Sequence, residues 1–329
     1  MKFVSYLFKE PLNDYDEPRL GLLVAEDVID VEHAGNELDT PLPHDALAFL
    51  RLGEPAMAAA RKVNVIARSH ARSFQNGIAR FPISRVKCVA PVPKPASMRD
   101  AYAFRQHVEA ARRNRGLEMI PEFDQFPVFY FTNHQAVTGP GPIEVMPEHL
   151  NRLDYELEAA IVIGKQGRNI KAADADEYIA GYTIMNDWSA RALQMEEMKL
   201  SLGPAKGKDF ATAIGPWLVT RDELAAKRIP SERGERYDLV MTANLNGTEL
   251  SRGNLKDMSW TFAEIIERAS YGVTLYPGDV IGSGTVGTGC LLELNGSKVT
   301  NNLWVNVGDT VTCAIEGLGE LTNTVVAAK

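Results

Sequence analysis

The sequence predicts a β-rich α+β protein. Three observations carry this: apolar runs separated by turn signals fill the last three-quarters of the chain, only one clear helix lies late in it, and an Ala- and Arg-rich helix is confined to the first quarter. Residues 1–80 are expected to form a small α+β domain. Within it, Gly21 to Val31 reads as strand, turn and strand, and residues 55–72, without β-branched runs, read as a helix. Pro82 and the cluster Pro91, Pro93 and Pro95 fix φ and mark a boundary. Residues 85–329 are then expected as a second, larger domain. Asp100 to Arg115 is helix-compatible. Strands follow at Pro127–Phe131, Leu157–Ile163, Ile179–Met185, Pro216–Thr220 and Tyr237–Leu245, with more from Leu275 onward, the run Leu291–Asn295 among them. Asn246-Gly247, Pro277-Gly278 and Asn295-Gly296 supply turns between strands. Trp260 to Ala269 is the late helix, with Phe262, Ile265, Ile266 and Ala269 at helical spacing.

Composition narrows the function. The 329 residues are 45% hydrophobic and 24% charged, which is ordinary globular usage. Lys plus Arg total 35 and Asp plus Glu 43, a net charge of −8. Such a chain lacks the electrostatic footprint of a nucleic-acid or anionic-membrane binder. No apolar run approaches the roughly 18 residues of a membrane span, and the N-terminal apolar stretch is cut short by Lys9 and Glu10, so a cytoplasmic location is expected. Cys88, Cys290 and Cys313 are odd in number and far apart, which reads as reduced, structural thiols.

The sharpest local feature is Leu153-Asp-Tyr-Glu156-Leu-Glu158, followed by an apolar run to Gly164. Strand alternation points Glu156 and Glu158 the same way. Either both meet water at a strand edge, or a cation offsets their mutual repulsion and desolvation. A second apolar strand ends in Asn186-Asp187-Trp-Ser-Ala-Arg191, with Asp187 at its tip, and Asp100 follows the proline cluster. Convergence of these four carboxylates, with no thiol or imidazole among them, would describe an oxygen-ligand site for a hard cation. His107, seven residues after Asp100, is a structural histidine or a catalytic one. The Gly/Pro loop Leu202 to Lys208 is a surface turn or a device for presenting Lys208. Gly282-Ser-Gly284-Thr-Val-Gly287 matches GxGxxG, but the expected strand after it argues against a dinucleotide fold. Gly284 and Thr285 instead suggest a tight turn whose N–H groups bind an anion.

Taken together, these pieces resemble the fumarylacetoacetate hydrolase family. The resemblance rests on Asp100-x-Tyr102-x4-His107, Asp154-Tyr-Glu156-Leu-Glu158, Met185-Asn-Asp187-Trp-Ser-Ala-Arg191, Leu202-Gly-Pro to Gly207-Lys208, and Tyr276 to Thr285, in the family's order over roughly residues 85–325. It implies a rolled, mixed β-sandwich behind a small N-terminal domain, and a homodimer. It implies that Asp100, Glu156, Glu158 and Asp187 ligate a divalent cation: Mg²⁺, Ca²⁺ or Mn²⁺, all suited to oxygen ligands. His107 becomes the general base, oriented by Glu293. Lys208, Arg191 and Gln194 become partners of the reacting carbonyl, and Tyr102, Tyr130 and Thr285 substrate contacts. Arg115 matches a substrate-carboxylate arginine across a one-residue gap. The sequence departs from the family pattern near Met198, where a tyrosine is usual, and in a loop one residue longer before Leu202. Ala110, three residues after His107, departs from the H-x-x-E of the shorter acylpyruvase-type members and favours the Glu293 arrangement.

The activity so implied is hydrolysis of a carbon–carbon bond in a small anionic 1,3-diketo acid, fumarylacetoacetate or an acylpyruvate such as fumarylpyruvate. Degradation of tyrosine or other aromatic compounds is the setting. A divalent cation acts as Lewis acid, His107 takes a proton from water, and Lys208 with Gln194 or Arg191 steadies the oxyanion. Two rivals stand beside it. One is another enolate reaction of the family: oxaloacetate decarboxylation, isomerisation, or dehydration of a 2-keto-3-deoxy sugar acid. The other is a non-catalytic, metal-stabilised binding protein.

Overall fold

Strand Leu157–Ile163 is buried along its whole length, and the architecture grows outward from it. The computed structural model describes residues 1–10, 17–69, 73–75 and 77–328. On one side the central strand pairs antiparallel with Ile179–Asp187, which pairs with Thr212–Val219. On the other it pairs antiparallel with Val280–Gly282, which runs parallel to Met98–Ala101, with Phe129–Phe131 beyond. The strands of the first eighty residues belong to the same sheet. Lys2–Phe8 pairs with Thr212–Val219, and Arg19–Val24, Asp27–Asp30 and Arg80–Pro82 follow in order. Among the described residues this sheet has 12 strands, and a second has five, ordered Thr248–Asn254, Val240–Leu245, Thr310–Ile315, Gly319–Ala327 and Gly141–Val145.

Period-two alternation sorts the core into two layers. Leu157, Ala159, Ile161 and Ile163 pack with Met241, Ala243, Val311 and Cys313 of the five-stranded sheet, and with Phe262 and Ile266 of the helix Phe262–Ser270. Ala160 and Val162, on the opposite face, pack with Met185 and Ile214 under the N-terminal helices through Phe49, Ala60 and Val63. The result is a β-rich α+β sandwich, as the sequence predicts. Helix Phe262–Ser270 starts on a capping box in which Thr261 accepts from the Glu264 amide and Glu264 accepts from the Thr261 amide, a device worth about 1 kcal/mol. No helix among the described residues is long and apolar enough to cross a membrane.

Two local expectations are corrected. Asp100 lies not on a helix but on strand Met98–Ala101, and the helix begins only at Arg105 and ends at Arg113. Pairing on both edges, with Val280–Gly282 and Phe129–Phe131, overrides the helix-compatible composition of this stretch. Leu291 to Asn295 forms not a strand but the helix Leu291–Gly296. Its apolar Leu291 and Leu294 sit one turn apart on a buried side, and its first amides are met by Asp154. The GxGxxG stretch does therefore precede a helix. Yet its neighbour Leu157–Ile163 is antiparallel and its parallel neighbour Met98–Ala101 is remote in the chain, so no βαβ unit surrounds it.

Candidate active site

Glu158 sits in strand Leu157–Ile163 and Glu156 one residue before it, and both lie in the interior: Glu158 is 0% exposed and Glu156 6%. Strand Met98–Ala101 delivers Asp100 next to them, and oxygens of Asp100, Glu156 and Glu158 lie within 4.8 Å of one another. Asp187 ends strand Ile179–Asp187, fully buried. It is not one of that mutually close trio, but Lys208 joins it to them: the Lys208 Nζ donates to Asp187 at 2.8 Å and also to Glu156. Tyr130, paired in register with Asp100, donates its hydroxyl to Asp187 at 2.5 Å. Arg191 donates to Glu156 at 2.8 Å, to Asp154 at 2.8 Å and to Gln194 at 3.0 Å.

A cavity of about 550 Å³ opens beside this cluster. Of the thirteen residues singled out from the sequence, eleven line it; Glu158 and Asp187 lie behind its wall. His107 is 6% exposed, with Nδ1 2.7 Å from Glu293 Oε2, and Glu293 Oε1 accepts from the Thr288 amide at 2.9 Å. Tyr102 meets the His107 ring edge-on at 5.8 Å, and burial pushes its phenol up to about 12. Thr285 donates to Glu158 at 3.3 Å. The expected anion-binding turn is filled from within: Gly284, at φ +80°, donates its amide to Asp100 at 3.1 Å and Glu158 at 3.0 Å. Arg115 sits exposed at the rim, its Nε donating to the Ala111 carbonyl at 2.9 Å.

The electrostatics fit a hard cation. Burial, followed by the charge of Asp187, lifts Asp100 to about 7, and burial together with Asp100 raises Glu158 well above the carboxylate range. Burial raises Asp187 as well. Glu156 goes the other way: burial opposes its charge, but Lys208 and Arg191 outweigh that and hold it low. Lys208 is itself raised, since Asp187 and Glu156 outweigh its desolvation. Among the described residues, and counting Asp154, five buried carboxyl groups of this cluster face two buried cations, Arg191 and Lys208. Gly282 completes the cradle, because a Cβ there would come within 2.6 Å of Asp100 Oδ1 and 2.9 Å of Glu158 Oε2. An all-oxygen donor set with surplus negative charge suits a hard divalent cation.

Three residues of the site carry no role in the sequence reading. Asp154 is 0% exposed and joins Arg191 to helix Leu291–Gly296; the alternation that links Glu156 to Glu158 extends back to it. Arg152 and Trp304 face the cavity rim together, with the guanidinium 6.0 Å from the ring centroid. No local signal marks that pair, which joins residues 152 positions apart.

Comparison with known proteins gives the family and the fold. The family model for the C-terminal part of fumarylacetoacetate (FAA) hydrolase matches residues 97–326. The mitochondrial oxaloacetate tautomerase Fahd2a of Rattus norvegicus is 30% identical over 317 residues, spanning 94% of this chain and 88% of the relative. Oxaloacetate tautomerase YisK of Bacillus subtilis (strain 168) is 30% identical over 319 residues, spanning 94% and 96%. Among solved structures, fumarylacetoacetate hydrolase from psychrophilic Exiguobacterium antarcticum superposes with a TM-score of 0.68 at 26% identity, covering all of both chains. Maleylpyruvate hydrolase from Sphingobium sp. SYK-6, solved with manganese(II) and pyruvate, gives 0.69 at 21% identity over the full length of both chains and shares the fold.

Proposed function

The chain is an enzyme of the fumarylacetoacetate hydrolase family, and from that premise we propose that it is a divalent-cation-dependent tautomerase of an enolisable 2-oxo dicarboxylic acid, with oxaloacetate the substrate. The observation that carries this reading is the His107–Glu293 pair, at 2.7 Å, opening into the same cavity as the carboxylate cluster. The names of the two full-length relatives support oxaloacetate as the acid.

Asp100, Glu156, Glu158 and Asp187 would hold the cation, which when bound supplies Lewis-acid stabilisation of negative charge on the substrate oxygens. The manganese in the Sphingobium hydrolase structure supports a divalent ion, and Mg²⁺, Ca²⁺ and Mn²⁺ all suit the donor set. Glu293 accepts the Nδ1 proton of His107, which leaves Nε2 as the basic nitrogen. His107 then takes a proton from the carbon between the two carbonyls, and a proton returns to the 2-oxygen. Atoms are conserved, and no water enters the products. Proton transfer of this kind is worth typically 10²–10⁴-fold in rate. Arg191 and Lys208 keep Glu156 ionised and place positive charge where the oxygen turns anionic. Tyr102, with its phenol held protonated, is a hydrogen-bond donor on the cavity wall.

A second reading, hydrolysis of the carbon–carbon bond of a 1,3-diketo acid, is favoured by the cavity volume of about 550 Å³, which exceeds what a four-carbon diacid fills. We propose a homodimer under either reading.

The test follows the ultraviolet absorbance of enol-oxaloacetate with EDTA-treated protein, before and after Mg²⁺ or Mn²⁺. The expected result is metal-dependent loss of the enol without release of pyruvate. No acceleration with any of the ions overturns the tautomerase reading. Loss of diketone absorbance from fumarylpyruvate or acetylpyruvate, with pyruvate appearing, moves the conclusion to the hydrolase.

A further inference from the structure

We propose that Asp154 is the positioning residue that ties the carbonyl-facing Arg191 to the helix that aims Glu293 at His107. Asp154 is the last residue of strand Leu153–Asp154, two before Glu156, and is 0% exposed. Its Oδ2 accepts from Arg191 Nε at 2.8 Å and lies 2.7 Å from Arg191 Nη2. Its two oxygens also accept the amides of Leu291 at 2.7 Å and Leu292 at 2.9 Å.

Those amides are the first of helix Leu291–Gly296, and its own N-cap residue, Cys290, contributes no side-chain bond to them. A helix of six residues is not stable alone, so a cap from elsewhere in the fold sets where it begins. Glu293 follows one residue after Leu292. Its carboxylate can reach Nδ1 of His107 at 2.7 Å only if the first turn is fixed. The same Asp154 carboxylate holds the guanidinium whose other arm grips Glu156 at 2.8 Å and Gln194 at 3.0 Å. One buried side chain thus couples the imidazole's orienting acid to the arginine beside the carboxylate cluster.

This inference rests on reading His107 and Glu293 as the proton-handling pair. The experiment therefore compares five proteins: wild type, Asp154→Asn, Glu293→Gln, the Asp154→Asn/Glu293→Gln double variant, and His107→Gln. The readouts are kcat and KM for enol-oxaloacetate with Mn²⁺, together with Mn²⁺ affinity by calorimetry. Asp154→Asn is isosteric; Asp154→Ser, smaller and still able to accept from one amide, is carried in parallel.

The expected result is a fall in kcat of about 10–100-fold for Asp154→Asn, as for other partners that orient a site ligand, with KM and Mn²⁺ affinity changed by less than about threefold. The double variant is expected to lose no more than the worse single variant, because both act through one unit. Losses that multiply in the double variant overturn the proposal, as does an Asp154→Asn kcat within twofold of wild type. Failure of both Asp154 variants to fold would make the residue a structural support alone. If His107→Gln turns over as fast as wild type, the proton-handling reading falls, and this proposal with it.

Discussion

Gly282 lies where strand Val280–Gly282 faces Asp100 on one side and Ala160 on the other. Replacing it by alanine puts a methyl group 2.6 Å from Asp100 Oδ1, 2.7 Å from Met185 Cε and 2.9 Å from Glu158 Oε2. Methionine can swing away; the two carboxylates are less free, since both accept the Gly284 amide, at 3.1 and 3.0 Å. To restore ordinary contact the oxygens must retreat by roughly half an ångström, while cation sites tolerate about 0.2 Å in ligand distance. Gly282→Ala is therefore expected to weaken divalent-cation binding by about 10–100-fold, or roughly 1.4–2.7 kcal/mol. The overpacked methyl also costs about 1–3 kcal/mol of fold stability. Calorimetric titration with Mn²⁺ measures the first effect, and thermal melts in EDTA isolate the second. A Gly282→Ala protein that binds Mn²⁺ within threefold of wild type would refute the assignment of Asp100 and Glu158 as ligands.

Two more predictions follow from other parts of the chain. Burial opposes the charge of Asp30, but the Arg19 guanidinium at 2.8 Å, the His33 amide at 2.9 Å and the Tyr6 hydroxyl at 2.5 Å outweigh it and hold the carboxyl below its usual range. Its stabilising contribution is thus complete above the ordinary carboxylate pKa and fades as pH falls through the lower folded value. Asp30→Asn should cost about 3–5 kcal/mol near pH 7, because it removes the buried negative charge that faces Arg19, and should flatten the acid limb of a Tm-against-pH curve. An unchanged limb would exclude Asp30 as its source. Arg152→Gln should weaken binding of a six-carbon 2-oxo dicarboxylate by about tenfold, in line with a charged hydrogen bond, and leave pyruvate binding unmoved. Equal changes for both acids would show that the Arg152–Trp304 rim does not read the distal carboxylate.

The carboxylates of the candidate site stand out singly in the sequence by their local spacings, and their convergence is what the family resemblance implies. Glu156 and Glu158 are two apart at the start of an apolar run, Asp187 ends another, and Lys208 closes a Gly/Pro loop. The β-rich α+β class was legible for the same reason, since period-two runs and turn residues are local signals. What escaped depends on contacts distant in sequence. Asp100 becomes a strand residue through neighbours at 130 and 282. Leu291 to Asn295 becomes a helix through an aspartate 137 residues upstream. The expected anion nest at Gly284 turned out to serve the protein's own carboxylates.

Strand Lys2–Phe8 joins the edge of Thr212–Val219, whose first residue also steadies Asp187 through the Thr212 hydroxyl at 3.4 Å. The first eighty residues therefore act as a selvedge on the woven sheet. A fragment trimmed to the matched stretch 97–326 would keep every residue of the carboxylate cluster yet leave open the short row at Leu218 and Val219 that pairs with Phe3 and Lys2. Such a row pairs readily with another chain, so the fragment would trade solubility for brevity.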